Sequence, residues 1–227
     1  MKKEKNGQGN SSSCPPPKNT TNTDQKPDSL RRYYDQQLDS LDQTVLQAAD
    51  LCLEMAKLTT QSIQNGIDPL KTDLLHLRKR VATLVHETDR LSVLLILKQQ
   101  PIAYDLQRIT HDTRLSLELD RIAHLYEDLA VPLQSVFDGK SQSDLLSLAE
   151  ACQIQLQKTV AALKTDSGIY ASDAILMDDD IDSQFEALQE RLTKDLPFQS
   201  VNILMAAKYF ERIADHSVVI CSLLLHS

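Results

Sequence analysis

The chain of 227 residues has only five glycines, four phenylalanines and no tryptophan. That leaves too few turn residues and large aromatics for a many-turned β-sandwich or a glycine-looped nucleotide fold. Nowhere do about 18 apolar residues run uninterrupted, so a membrane-spanning helix is not expected. The four cysteines, Cys14, Cys52, Cys152 and Cys221, are far apart and form no C-x-x-C pair. Neither a zinc knuckle nor a disulfide framework is signalled, and a reducing cytoplasm is the expected setting. A basic excess is missing too: 24 Lys plus Arg stand against 32 Asp plus Glu, a net charge of −8. An extended nucleic-acid interface needs the opposite balance. There is no Gly-rich phosphate loop, H-E-x-x-H or G-x-S-x-G, and the six histidines form no ligand pattern, so an enzyme is the less economical reading.

The composition that remains, 41 % hydrophobic and 25 % charged, is that of a soluble globular protein. Residues 1–28 are dominated by Gly, Ser, Asn, Thr, Pro and Lys, including Ser11-Ser12-Ser13 and Pro15-Pro16-Pro17. They are expected to form a disordered tail, and without an apolar segment behind Lys2, Lys3 and Lys5 they are neither a secretion signal nor a lipoprotein leader. The tail carries a charge of +2, which leaves the rest of the chain at about −10.

From Ser29 apolar residues recur at alternating spacings of four and three: Tyr34, Leu38, Leu41, Val45, Ala48, Cys52 and Met55. This predicts a long helix that packs lengthwise against others. Asn65-Gly66 ends it, and Asp68 as N-cap with Pro69 at the first helical position starts the next. Leu74, Leu77, Val81, Leu84, Leu91 and Leu95 continue the period, and Pro101 opens a third helix through Leu106, Ile109, Leu115, Leu119, Ile122, Tyr126 and Leu129. After a turn at Asp138-Gly139 the plan recurs. A fourth helix spans about Ser143 to Lys164, a break falls at Asp166-Ser167-Gly168, a fifth helix runs to about Asp195, and Pro197 opens a sixth. Asp120-Arg121-Ile122-Ala123-His124 in the third helix and Glu211-Arg212-Ile213-Ala214-Asp215 in the sixth mark an internal repeat of about 95 residues. The predicted fold is all-α, two tandem three-helix bundles over residues 29–138 and 139–227.

Glu211 and Asp215 are four residues apart, so their carboxylates project from one helix face and converge on one volume. The fifth helix offers a second wall, because Asp178 falls in the apolar phase Ala174, Asp178, Ile181, Phe185, Leu188 and Leu192, with Asp182 one turn on. Oxygen ligands from two helices suit Mg, Mn, Ca or iron. A plainer reading stands beside this one: Lys208 and Arg212 neutralise Glu211 and Asp215 as solvated surface charges, and Asp178 to Asp180 favour the positive end of a helix that starts there. In the first repeat Asp120 and His124 keep the spacing, but a histidine suits a hard cation less well. Arg78, Lys79 and Arg80 stand where the fifth helix has Asp178 to Asp180; they discourage a divalent ion and bind an acidic partner, pair with Asp120 or form a solvated helix face. Cysteines on the helical seams read as small buried hydrophobes.

These residues resemble the PhoU family of phosphate-transport accessory proteins. In that family each of two three-helix repeats carries an E-R-I-G-D motif, the first preceded by Q-P-x-x-x-D-L. Here Gln100-Pro101-Ile102-Ala103-Tyr104-Asp105-Leu106 is followed by Glu118-Leu119-Asp120-Arg121-Ile122-Ala123-His124, and the second copy is Phe210-Glu211-Arg212-Ile213-Ala214-Asp215-His216. The first copy departs at Asp120 and His124, Arg78 replaces an expected acid, and Ala123 and Ala214 replace motif glycines. The resemblance implies a cation site of Glu211, Asp215, Asp178 and Asp182, with Asp120 and His124 a degenerate counterpart. The ion would be Mg, Mn, Fe, Zn or Ca. It further implies a cytoplasmic, non-enzymatic adaptor that restrains phosphate uptake and starvation signalling. Its partners would be the ATPase subunit of a phosphate ABC transporter, a membrane sensor histidine kinase and a second copy of itself, with no nucleic acid and no membrane insertion. A PhoU-like regulator of another transporter and a metal-binding helical-bundle enzyme are the alternatives.

Overall fold

The computed structural model describes residues 26–65, 70–99, 101–135, 139–195 and 198–226. They form seven α-helices: α1 (Lys26–Asn65), α2 (Leu70–Gln99), α3 (Ala103–Leu129), α4 (Gly139–Thr165), α5 (Gly168–Leu176), α6 (Asp178–Asp195) and α7 (Phe198–Leu225). A 3₁₀ turn, Pro132–Ser135, follows α3. The tail up to residue 25, the Asp68-Pro69 start, the Asp138 turn residue and Pro197 lie outside the described residues. Helix α1 begins at Lys26, three residues before the predicted Ser29.

The apolar period explains the packing. All seven seam residues named for α1, from Tyr34 to Met55, are buried, as are Leu145, Ala149, Cys152, Leu156 and Val160 of α4. Helices α1, α2 and α3 pack on one another, and α4 and α7 pack with α5 and α6 in the same plan. The two units meet through α1 on α4 and α3 on α7. One hydrophobic cluster runs from Val45 and Leu119 to Leu156 and Phe210, so each unit completes the other's core. A smaller cluster of Tyr34, Leu38, Leu41, Leu91, Leu95 and Ile109 closes the far end of the first unit.

Two expectations are corrected. Leu106, placed on the α3 seam, is 40 % exposed, because the first turn of α3 extends past the core that begins at Ile109. The predicted fifth helix is two helices, broken at Met177. The break is shallow: Met177 keeps helical dihedrals, and the Ile181 amide still bonds the Met177 carbonyl at 3.2 Å. The apolar phase therefore survives it, with Ala174, Ile181, Leu188 and Leu192 all buried. At the α4–α5 corner, Asp166 takes φ of 49° and the Ser167 amide bonds back to the Ala162 carbonyl at 3.3 Å, a left-handed cap closing the helix.

The repeat is legible in matched contacts. The Cys52 thiol of α1 donates to the Leu119 carbonyl of α3 at 3.4 Å, and the Cys152 thiol of α4 donates to the Phe210 carbonyl of α7 at 3.4 Å. Leu119 and Phe210 immediately precede Asp120 and Glu211. Each thiol thus anchors the helix turn that presents the motif acid. Burial raises both thiols, Cys52 to about 12, so they stay protonated donors. Among the described residues no helix is long and apolar enough to cross a membrane.

Candidate functional site

Asp178 opens α6 and Asp182 stands one turn along it, facing Glu211 and Asp215 on α7. The aspartates 178–180 occupy the first turn of α6, where the exposed amides favour negative charge. That much agrees with the plainer reading of the sequence. The helix start also directs these acids towards the α7 pair. Burial raises Asp178, Asp182 and Asp215 above the usual carboxylate range. Repulsion adds to burial in each case: Asp182 and Asp215 act on Asp178, Glu211 acts on Asp182, and both Glu211 and Asp182 act on Asp215. The four acids named from the sequence therefore form one electrostatic group.

What stabilises this group comes from the protein. The Lys208 ammonium lies 2.5 Å from Glu211 Oε2, which is buried, and sits 5.1 Å above the Phe185 ring of α6. Asp178 accepts a hydrogen bond from Gln155 Nε2 at 3.2 Å, and the same amide reaches the Ala174 carbonyl at 3.1 Å, tying α4 to the α5–α6 break. The oxygen donors are of the kind a hard cation takes. In this arrangement, however, no three His, Cys, Asp or Glu side chains among the described residues stand close enough together to hold an ion, and Lys208 supplies the positive charge.

In the first unit Asp120 and His124 are brought together around Arg78, which pairs with Asp120 as one of the sequence readings has it. Arg78 Nη1 is 3.1 Å from Asp120 Oδ1, and its Nε donates to His124 Nδ1 at 3.0 Å. The basic residue of α2 thus faces α3 where the acids of α6 face α7.

Two features were not read from the sequence. His216, next to Asp215, reaches across to the first unit: its Nδ1 lies 2.7 Å from Glu118 Oε2 of α3, a partly buried link between the units. Glu118 is also bound by Arg121 at 2.6 Å. The second feature is a cleft of about 700 Å³ between α1, α3 and the ends of α4 and α7, lined by Asp42, Arg108, His111, Asp112, Lys164 and Asp166 among others. Arg108 clamps Asp42 and reaches Asp39 at 3.1 Å, joining α3 to α1. Behind it Asp112 is buried, and burial with a hydrogen bond shared with Asp42 raises its carboxyl. Arg108 and Asp112 are one turn apart on α3, but Asp42 is 66 residues from Arg108, and no local pattern joins α1 to them.

The PhoU domain family model matches residues 145–224, which is the second unit with its Glu211-x-x-x-Asp215 pair. The phosphate-specific transport system accessory protein PhoU homolog 1 of Methanothermobacter thermautotrophicus is 23 % identical over 201 residues, covering 84 % of this chain and 91 % of that protein. The phosphate-specific transport system accessory protein PhoU homolog of Rhizobium meliloti is 26 % identical over 181 residues, covering 72 % and 76 %. Among solved structures, PhoU from Pseudomonas aeruginosa superposes with a TM-score of 0.79 at 17 % identity, covering 85 % of this chain and 97 % of that one. The phosphate transport system regulatory protein PhoU from Streptococcus pneumoniae superposes at 0.73, also at 17 % identity, covering 85 % and 95 %. The chain thus shares the PhoU fold across both units, is similar over most of its length to curated PhoU homologues, and matches the PhoU domain model in the unit that keeps the acidic motif.

Proposed function

We propose that the chain is a regulatory accessory protein of a phosphate transport system, a non-enzymatic adaptor that acts in the cytoplasm and restrains uptake when phosphate is plentiful. The observation that carries this reading is the similarity, over most of both chains, to proteins named as phosphate-transport accessory proteins. The surface supports it physically. Ile169 and Leu176 on α5, and Leu97, Ile102 and Tyr104 around the α2–α3 junction, are each more than half exposed. Apolar side chains presented from rigid helices are what an adaptor offers to partner proteins. In this reading the partners are the transporter's ATPase subunit and a membrane sensor histidine kinase, and a second copy of the chain forms a homodimer.

The acidic group of the second unit is the proposed cation site, held by Glu211, Asp215, Asp178 and Asp182. A divalent or iron ion there would take over the charge balance now kept by Lys208 and bind α6 to α7. The regulatory reading is tested by phosphate accumulation in source cells with and without the gene in phosphate-replete medium, together with affinity purification of the chain from membranes. Raised accumulation in the deletion and recovery of a phosphate-transporter ATPase support it. Normal accumulation with recovery of a different transporter overturns the phosphate assignment.

A further inference from the structure

We infer that Arg78 is a built-in cation that closes the first unit to metal ions, its guanidinium taking the place an ion would fill between α2 and α3. This does not depend on the phosphate reading. The side chain of Arg78 is only 11 % exposed, and three polar side chains of α3 pack against it. Asp120 approaches with Oδ1 at 3.1 Å from Nη1 and Oδ2 at 3.4 Å from Nη2. His124 presents Nδ1 at 3.0 Å from Nε and 2.6 Å from Nη2. Glu127 Oε2 lies 3.9 Å from Nε. An imidazole nitrogen that accepts hydrogen bonds offers the same lone pair that it would give to a metal. Carboxylates and an imidazole are groups that a transition metal such as zinc accepts, and with the guanidinium removed they would have to draw together to hold one.

The guanidinium is suited to hold that place permanently. It does not deprotonate in proteins, and its planar fork matches a carboxylate on two nitrogens at once. Any divalent ion entering between Asp120 and His124 would meet this fixed positive charge. The second unit differs in kind. There Lys208 contacts Glu211 from the same helix, three residues away, and its side chain is half exposed. A half-exposed lysine held by one carboxylate and the Phe185 ring can swing into water, whereas Arg78 is held by three residues from a facing helix. The two units are therefore unequal: one has its cation fixed in the sequence, and only the other is open to exchange.

The test is zinc titration of the full chain by calorimetry, with circular dichroism to establish folding. In the wild-type background, His124→Ala should leave the zinc stoichiometry unchanged. Arg78→Ala should gain one equivalent of zinc, and Arg78→Ala with His124→Ala should lose that gain. Arg78→Lys, which restores a positive charge, should bind no more than wild type. Should Arg78→Ala fail to fold, Arg78→Gln keeps the length and hydrogen-bond donors without the charge and carries the same expectation. Loss of zinc in the His124→Ala single variant, or no added zinc in a folded uncharged variant, overturns the inference.

Discussion

Replacing Asp112 by asparagine separates a buried proton from everything else at the α1–α3 seam. Asp112 is 7 % exposed. Burial first, then the hydrogen bond and repulsion from Asp42, raise its carboxyl from 3.8 to about 8, with Arg108 pulling the other way. Between those values the folded chain holds a proton that the unfolded chain has released. The stability tied to this group is complete below the ordinary carboxylate value and is lost as pH rises through the window, by up to about 1.4 kcal/mol per pH unit. Asparagine never ionises, and its amide can donate to Asp42 where the protonated carboxyl did. The neighbouring charges on Asp39 and Asp42 of α1, Arg108 of α3 and Lys164 and Asp166 at the end of α4 are present in both proteins and largely cancel in the difference. From about pH 6 to 7.5 the variant should therefore gain on wild type by up to about 2 kcal/mol. Urea unfolding followed by far-ultraviolet circular dichroism across that range measures the gap directly. Parallel stability curves for the two proteins would refute the reasoning, since they would mean that Asp112 is ionised in the folded state as it is in the unfolded one.

Other perturbations have equally definite outcomes. Phe210→Ala, in the core shared by both units, should lower the unfolding free energy by about 3–5 kcal/mol, read from the shift in urea midpoint at constant slope. Asp166→Gly should raise stability by up to about 1 kcal/mol, because glycine takes the left-handed φ of 49° without a Cβ; no gain in melting temperature would show that aspartate already fits that cap. Glu211→Gln with Asp215→Asn removes two of the repelling carboxylates. The double variant should melt higher than wild type above neutral pH without metal and should take up less manganese by elemental analysis, and unchanged metal content would rule out the proposed cation site.

The grouping of the four acids was legible because one helical turn suffices to define each pair. Glu211 and Asp215 share a face by spacing alone, and Asp178 and Asp182 fall in phase with buried residues on the helix before it. Pairing of Arg78 with Asp120 was legible for the same reason, since the repeat aligns the basic triplet of α2 with the acids of α6. The link of His216 to Glu118 was not, because the two residues are 98 positions apart and meet only through the packing of α7 on α3. Nor was the break at Met177, where neither proline nor glycine marks the end of a helix and the apolar phase passes through unchanged.

By itself the sequence determined the helices, their buried faces and the twofold repeat, because a 3.6-residue period and a duplicated motif are local properties of the chain. Tertiary structure decided how the charges balance. Whether Lys208 or a solvent-exposed face offsets Glu211, whether Arg78 lies in water or between Asp120 and His124, and whether Asp112 keeps its proton beside Asp42 depend on which helices meet and how much water they exclude. Electrostatic energy scales with distance and local polarity, and only the assembled fold sets either.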